Sequence, residues 1–368
     1  MNPIMADRSK FIIRNVRVLE ADSFSDCKSV LVHNGVISAI GEDREDLDGV
    51  NGQGHYLVPG LIDAHVHIAN VDHLHRLAKA GVTTALDMGA WPTNTAKLRA
   101  LVALDEHGKG GLCDFRSAGI VMTAPNTPHS RFPGVPSDSI VQTPQEAQEC
   151  VRLRVAEGSD YIKLIADVPG PTQECLTAAT QEARRLGKMV IIHAVTYKPF
   201  RMAIIARPHI ITHAPVDKPL TEDDAREMAK HNIACVPTLV MMRHVKRSTA
   251  KYENAAASVL TMHRAGVLVL AGSDAVDYPG VPAQIEHGGG MLEELELLVE
   301  AGMSPAEVLA GSTTKTAKYF GLRDRATINK GMRADLVLLK EDPFEDVTAF
   351  KRLERVWCAG RHMHLEQL

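Results

Sequence analysis

Short apolar runs alternate with stretches of helical spacing through the middle of the chain. The runs are LIDAHVHI, GVTTALDMG, FRSAGIVMTA, DYIKLIAD, KMVIIHA, HIITHA, IACVPT and VLVLAGSDA, beginning at Leu61 and ending at Ala275. Each is four to eight apolar positions bounded by polar or turn residues, the signature of strands buried on both faces. Several intervening helices open with a recognisable cap: Thr143-Pro144-Gln145-Glu146 and Ser304-Pro305-Ala306-Glu307 place a hydroxyl, a proline at the first helical position and a glutamate three residues on. Thr221 with Asp224 is a weaker version. From His67 to Asp274 the chain covers 207 residues in seven strand-to-strand steps, about 30 residues each, which is the size of a βαβ unit. The two chain ends differ: FIIRNVRVLE, SVLVHNGVISAIG, ADLVLLKEDP and LERVWCAGRHM alternate β-branched and polar residues, with Asn34-Gly35 as a hairpin turn.

This pattern predicts an α/β chain: a (β/α)8 TIM-like barrel with a small β-sandwich domain made by the two ends. The expected division is 1–57 and 326–368 for the β domain, and 58–325 for the barrel. A doubly wound open sheet is the competing architecture. Gly288-Gly289-Gly290, the one glycine cluster that could serve a dinucleotide, follows the eighth run and has the wrong spacing.

Composition narrows the function classes. A net charge of −4 and no long lysine or arginine run argue against nucleic acid as a partner. No stretch approaches the ~20 apolar residues of a membrane span, and the N-terminal residues lack a signal-peptide core. The six cysteines are scattered with no Cys-x-x-Cys, as expected of reduced thiols in a cytoplasmic protein. The pattern suits a monomer or a homo-oligomer acting on a small molecule.

The 17 histidines matter by position. In a barrel of this kind reactive groups gather at the C-terminal strand ends. His65 and His67 sit two apart at the end of the first run, Lys163 in the fourth, and His193, His213 and Asp274 end the fifth, sixth and eighth. Singly each has a plain structural reading: a hydrogen-bonded core histidine, a lysine reaching to the surface, a helix-capping aspartate. Jointly, four imidazoles, an amine and a carboxylate at converging strand ends point to a metal site.

These segments also resemble the amidohydrolase superfamily of metal-dependent hydrolases. VPGLIDAHVH is similar to its first-strand HxH signature, YIKLI, IIHA, ITHA and AGSDA follow its later ligand strands in order, and the closing helix with INKGMRADLVLLKEDPFEDV is similar to its returning β domain. The nearest branch is the imidazolonepropionase-like and prolidase-like one that includes ochratoxin-type amidases. The resemblance implies two divalent ions, with His65, His67 and Asp274 on the first, His193 and His213 on the second, and Lys163, carbamylated by carbon dioxide, bridging both. Imidazole and carboxylate-type ligands suit Zn2+, and would also accept Mn2+, Co2+ or Fe2+. A hydroxide held between the ions would attack a carbon–nitrogen bond, amide or cyclic amide, in a peptide-like or N-acyl substrate, with Asp274 as general base and then acid.

Substrate contacts are expected from the loops. His129 lies in the Pro- and Gly-rich segment APNTPHSRFPGVPSDS after the third run, Tyr197 follows the fifth and His287 the eighth. His55, His73, His75, His107, His231, His244 and His263 fall away from strand ends and are expected at surface or helix positions. Two other functions remain open on the sequence: a single-metal deaminase or lyase on the same barrel, against which Lys163 argues, and a catalytically silent scaffold, which would be expected to have lost ligands.

Overall fold

The computed structural model describes residues 10–42, 44–104, 111–245, 250–278, 281 and 283–363. His107 lies outside the described residues, as do the first nine. The N-terminal segment supplies β1 (Lys10–Glu20), β2 (Ser23–His33), β3 (Val36–Ile40), β4 (Gly49–Asn51) and β5 (Tyr56–Pro59). The barrel follows with β6 (Leu61–Val66), β7 (Val82–Asp87), β8 (Asp114–Ser117), β9 (Ile162–Ile165), β10 (Val190–His193), β11 (Ile210–Thr212) and β12 (Ala234–Val236). The C-terminal segment adds β13 (Leu336–Leu339), β14 (Leu353–Cys358) and β15 (Arg361–His362).

Strands β6, β7 and β8 pair in parallel, as do β9 through β12. An eighth, irregular strand near residues 268–276 closes the ring. Val269 bridges Cys235, Ala275 bridges Val66, and Met122 bridges Leu164 to join the two sets. All eight predicted runs therefore take part in one parallel barrel, seven as strands and the eighth through single bridges. Ile62, Leu86, Ile191, Ile210, Ala234, Val236 and Leu270 form one buried cluster. They come from strands on opposite sides of the ring, so the barrel is filled by side chains. Outside it the helices pack their apolar faces on the strands in a second, larger core. The caps read from sequence form as expected: Thr143, Ser304 and also Thr221 each make a full capping box.

The two chain ends build a single eight-stranded sheet in the order β15-β14-β13-β5-β1-β2-β3, with β4 beside β1. It curls so that Ile13, Val30, Ile37, Leu57, Leu336 and Trp357 share one core. The Asn34-Gly35 turn forms as read: His33 pairs with Val36, and both turn residues have positive φ, 50° and 74°. We propose the same division of the chain as the sequence suggests. β5 itself runs to Pro59, where Val58 and Pro59 pair with Val337 and Leu336, and only Gly60 separates it from β6. A Cβ at Gly60 would stand 2.2 Å from the Thr83 hydroxyl, which leaves room for glycine alone.

Candidate metal centre

Six polar groups meet at the C-terminal end of the barrel. Asp274 is their hub. It is buried and takes a left-handed backbone, φ 56°, that turns its carboxylate toward β6 and β11. Its Oδ1 lies 3.2 Å from Nε2 of both His65 and His67. Its Oδ2 is 3.6 Å from His213 Nδ1. His65, His213 and Asp274 offer ligand atoms that all lie within 4.8 Å of one another. On the other side His213 Nε2 faces His193 Nδ1 at 2.8 Å, and the Lys163 ammonium donates to Thr212 Oγ1 at 2.7 Å.

The electrostatics suit cation binding. Burial, reinforced by Lys163, lowers His65 to about 3. Burial likewise holds His193 and His213 well below the ordinary imidazole value, so all three are neutral lone-pair donors at neutral pH. Burial also works against the charged form of His67, but the Asp274 carboxylate outweighs it and raises that ring. Burial would push the Asp274 carboxyl up; His65 and His213 overcome it and hold it well below the carboxylate range. Lys163 is drawn down by burial to about 7 against the pull of Asp274 and Asp87, so a large share of its amine is neutral at physiological pH. Neutral imidazoles, one ionised carboxylate and a neutralisable amine around one point are a donor set that fits divalent ions of the zinc type.

The surrounding residues fix these groups. His213 Nδ1 bonds Thr238 Oγ1 at 2.6 Å, leaving Nε2 for a ligand. Thr238 itself has φ 47°, an uncommon conformation for a β-branched residue, of the sort retained where geometry matters. Two buried carboxylates brace β6, Asp63 on the strand itself and Asp87 at the end of β7. Asp63 accepts from the His65 amide at 3.1 Å and from the Ser273 amide and hydroxyl at 2.9 and 2.5 Å. Asp87 accepts from the Ile68 amide at 2.9 Å and the Ser117 hydroxyl at 2.6 Å. Asp63 thus ties β6 to the eighth strand through Ser273, and Asp87 links the residue just past the HxH segment, Ile68, to β8 through Ser117. Neither was singled out from the sequence, although a carboxylate inside an apolar run, LIDAHV or TALDMG, is itself a signal.

The three loop residues are placed as follows. The His129 ring stands 4.8 Å from that of His193, in the loop over the site. Tyr197 turns to the next helix: its hydroxyl donates to Asp224 at 2.9 Å, and the Lys218 ammonium lies 4.4 Å from its ring. His287 Nε2 donates to the His67 carbonyl at 2.8 Å, and its ring stacks on His73 at 3.8 Å. His73 lies on a helix, as expected, but is buried beside the site instead of standing at the surface. It does so because its Nδ1 accepts the Ala69 amide and its Nε2 bonds Asp277.

A closed parallel barrel whose strand ends converge on imidazoles, a carboxylate and a buried lysine defines a metal-dependent hydrolase. The chain belongs to the amidohydrolase family, which it matches over residues 56–363, and it is accordingly an enzyme acting on carbon–nitrogen bonds. It is 27% identical to an uncharacterized protein of Mycobacterium tuberculosis over 84% of this chain and 85% of that protein. Ochratoxinase of Aspergillus niger is 24% identical over 83% of this chain and 75% of its own length. A Xaa-Pro dipeptidase with bound methionine superimposes with a TM-score of 0.80 at 21% identity, covering 97% of this chain and 100% of that one. These neighbours match the branch expected from the sequence.

Proposed function

We propose that the protein hydrolyses an amide or cyclic amide bond in a small peptide-like or N-acyl substrate at a binuclear metal centre. One observation carries this reading: the Asp274 carboxylate stands between the His65 and His67 pair and His213, which in turn faces His193. His65, His67 and Asp274 would hold one ion, His193 and His213 the other, and Lys163 as a carbamate would join them. Zn2+ is the metal of choice, with Mn2+, Co2+ and Fe2+ as substitutes. Bound there, two divalent ions polarise a carbonyl and make water acidic enough to attack at neutral pH.

The chain's own groups supply the rest. Asp274 Oδ2, the oxygen turned away from His65 and His67, takes the proton of the attacking water and returns it to the leaving nitrogen. The neutral rings of His65, His193 and His213 keep their lone pairs for the ions. His129 closes the side next to His193. The names of the similar proteins, an ochratoxinase and a Xaa-Pro dipeptidase, support an amide or peptide substrate. Six free thiols, five of them buried, support a cytoplasmic setting. Among the described residues no helix is long and apolar enough to cross a membrane.

The deciding experiment is metal stoichiometry by plasma mass spectrometry on protein prepared with bicarbonate and without chelator, followed by a panel of N-acyl amino acids, dipeptides and cyclic amides. Two ions per chain with turnover of a panel member is the expected result; one ion per chain would move the reading to a single-metal deaminase or lyase. Lys163→Ala is expected to lose at least one ion, with partial rescue of activity by a short carboxylic acid that fits the vacated space. Full metal content in that variant would remove Lys163 from the centre.

A further inference from the structure

The helix Gly289–Glu300 runs alongside the barrel between the eighth strand and the helix Leu239–His244. It buries a carboxylate that no step of the proposed reaction uses. Glu294 has no exposed surface. Its Oε2 accepts from the Val240 amide at 2.8 Å. Its other oxygen has no hydrogen-bond partner. Burying a carboxyl at that cost requires a return, since an apolar residue would fill the same place without it.

That return lies one residue back along the chain. Leu239 and Val240 directly follow Thr238, the β-branched residue in the left-handed region. Thr238 Oγ1 meets His213 Nδ1 at 2.6 Å. The strained turn after β12 therefore has two anchors. Its hydroxyl holds His213, just past β11, and its Val240 amide is held from behind by Glu294. Released from that carboxylate, the Val240 amide would be left buried and unpaired, and the turn would be expected to relax toward an unstrained backbone. Thr238 Oγ1 would then move away from His213 Nδ1, freeing the ring to rotate or to change tautomer. The same helix follows immediately on His287, whose Nε2 holds the His67 carbonyl. One rigid element thus reaches both histidine groups of the centre, β6 through His287 and β11 through Glu294 and Thr238.

We propose that Glu294 is a positioning residue of the metal centre: it holds the 238–240 turn so that Thr238 fixes the ring and tautomer of His213. This rests on the metal-binding reading of His213 given above. Burial raises the Glu294 carboxyl to about 8, with the Val240 and Leu239 amides opposing. The group therefore works as a hydrogen-bond acceptor, with or without its charge, and an amide should replace it.

The test is titration of the metal-free full chain with Co2+ against a competing chelator, reading both dissociation constants and the visible absorption of the bound ions. Glu294→Leu is expected to weaken the less tightly held ion by about tenfold or more and to shift its absorption, whereas Glu294→Gln keeps both constants and the spectrum. Thr238→Val is expected to reproduce the loss. Combined with Glu294→Leu it should add little, because both act through one turn. A folded Glu294→Leu protein with wild-type constants and spectrum overturns the proposal, as does full additivity with Thr238→Val. If Glu294→Leu does not fold, Glu294→Asp, one methylene too short to reach the turn, is measured in the same way, and wild-type behaviour there overturns it equally. Wild-type protein that takes up no Co2+ would instead refute the metal-centre reading itself, so the two failures are distinct.

Discussion

Asp274→Asn is expected to lose about a thousandfold in kcat, within the 10²–10⁴ range of general acid–base catalysis, while keeping its fold and most of its metal. The backbone argument is favourable. Asp274 has φ 56°, and asparagine is among the few non-glycine residues that adopt this region readily. The Asp274 amide would still donate to the His65 carbonyl at 2.7 Å, so the turn ending the eighth strand survives. His65, His67, His193 and His213, the other proposed ligands, remain. The variant loses the charge and the proton-accepting oxygen. In the wild type that carboxyl is held well below the carboxylate range despite its burial, so it is ionised throughout the neutral range and can accept a proton. A neutral amide cannot take one up. Turnover of the best substrate, metal content and circular dichroism measured together give the answer. Wild-type turnover would remove Asp274 from the proton path, and loss of both ions would make it chiefly a ligand.

The second large effect lies at the opposite end of the barrel and concerns stability. Arg325→Ala should destabilise the protein by about 3–5 kcal/mol, the usual cost of stripping one partner from a buried ion pair. The Arg325 side chain is 3% exposed; it donates to Asp114 Oδ2 at 2.7 Å and to Thr84 Oγ1 at 2.9 Å, and pairs with Asp324. Arg333 approaches the same Asp114 oxygen at 3.7 Å and also binds Asp335. The network therefore spans β7, β8 and the segment returning to the end sheet. Burial alone would raise the Asp114 carboxyl, but Arg325, Arg333 and Arg116 together hold it below its ordinary value. A carboxyl lowered on folding adds stability that is complete above the unfolded pKa of about 4 and is lost as pH falls through the folded value. The gap between wild type and Arg325→Ala should accordingly be widest at neutral pH and close as pH falls below about 4 and through the lowered Asp114 value, where a protonated Asp114 no longer needs the cation. Urea midpoints across that range would show it; a gap independent of pH would place the loss in packing instead.

Most of the barrel and six residues of the centre could be read from the sequence because their signals are local. A strand buried on both faces must be apolar along its length, so a histidine or aspartate at its end stands out, and His65, His67, His193, His213 and Asp274 each occupy such a position. Lys163 stood out as a cation within an apolar run. The structure brings all six together. Thr238 and Glu294 carried no such signal. Threonine after a proline reads as an ordinary turn residue. A glutamate in MLEELELLVE reads as the polar face of an amphipathic helix, and it is the packing of that helix against the helix Leu239–His244 that buries it. His287 could be seen as a histidine near the site, but not as a donor to the His67 carbonyl, because that contact depends on how the loop after the eighth strand folds back over β6. His73 was hidden by its helical neighbours for the same reason. What sequence spacing reveals is a residue's position along its own element; what it withholds is which element lies opposite.

The single glycine between β5 and β6 has a consequence for the chain's modularity. From Tyr56 to Val66 only Gly60 interrupts two strands, the first in the end sheet and the second in the barrel, and Thr83 packs against that joint. The end sheet is therefore no detachable accessory. Its fifth strand is the root from which the HxH strand grows, and a graft or truncation placed at that joint would sever the support of the two histidines a few residues beyond it. Insertions and fusions belong elsewhere, at loops that carry no such load.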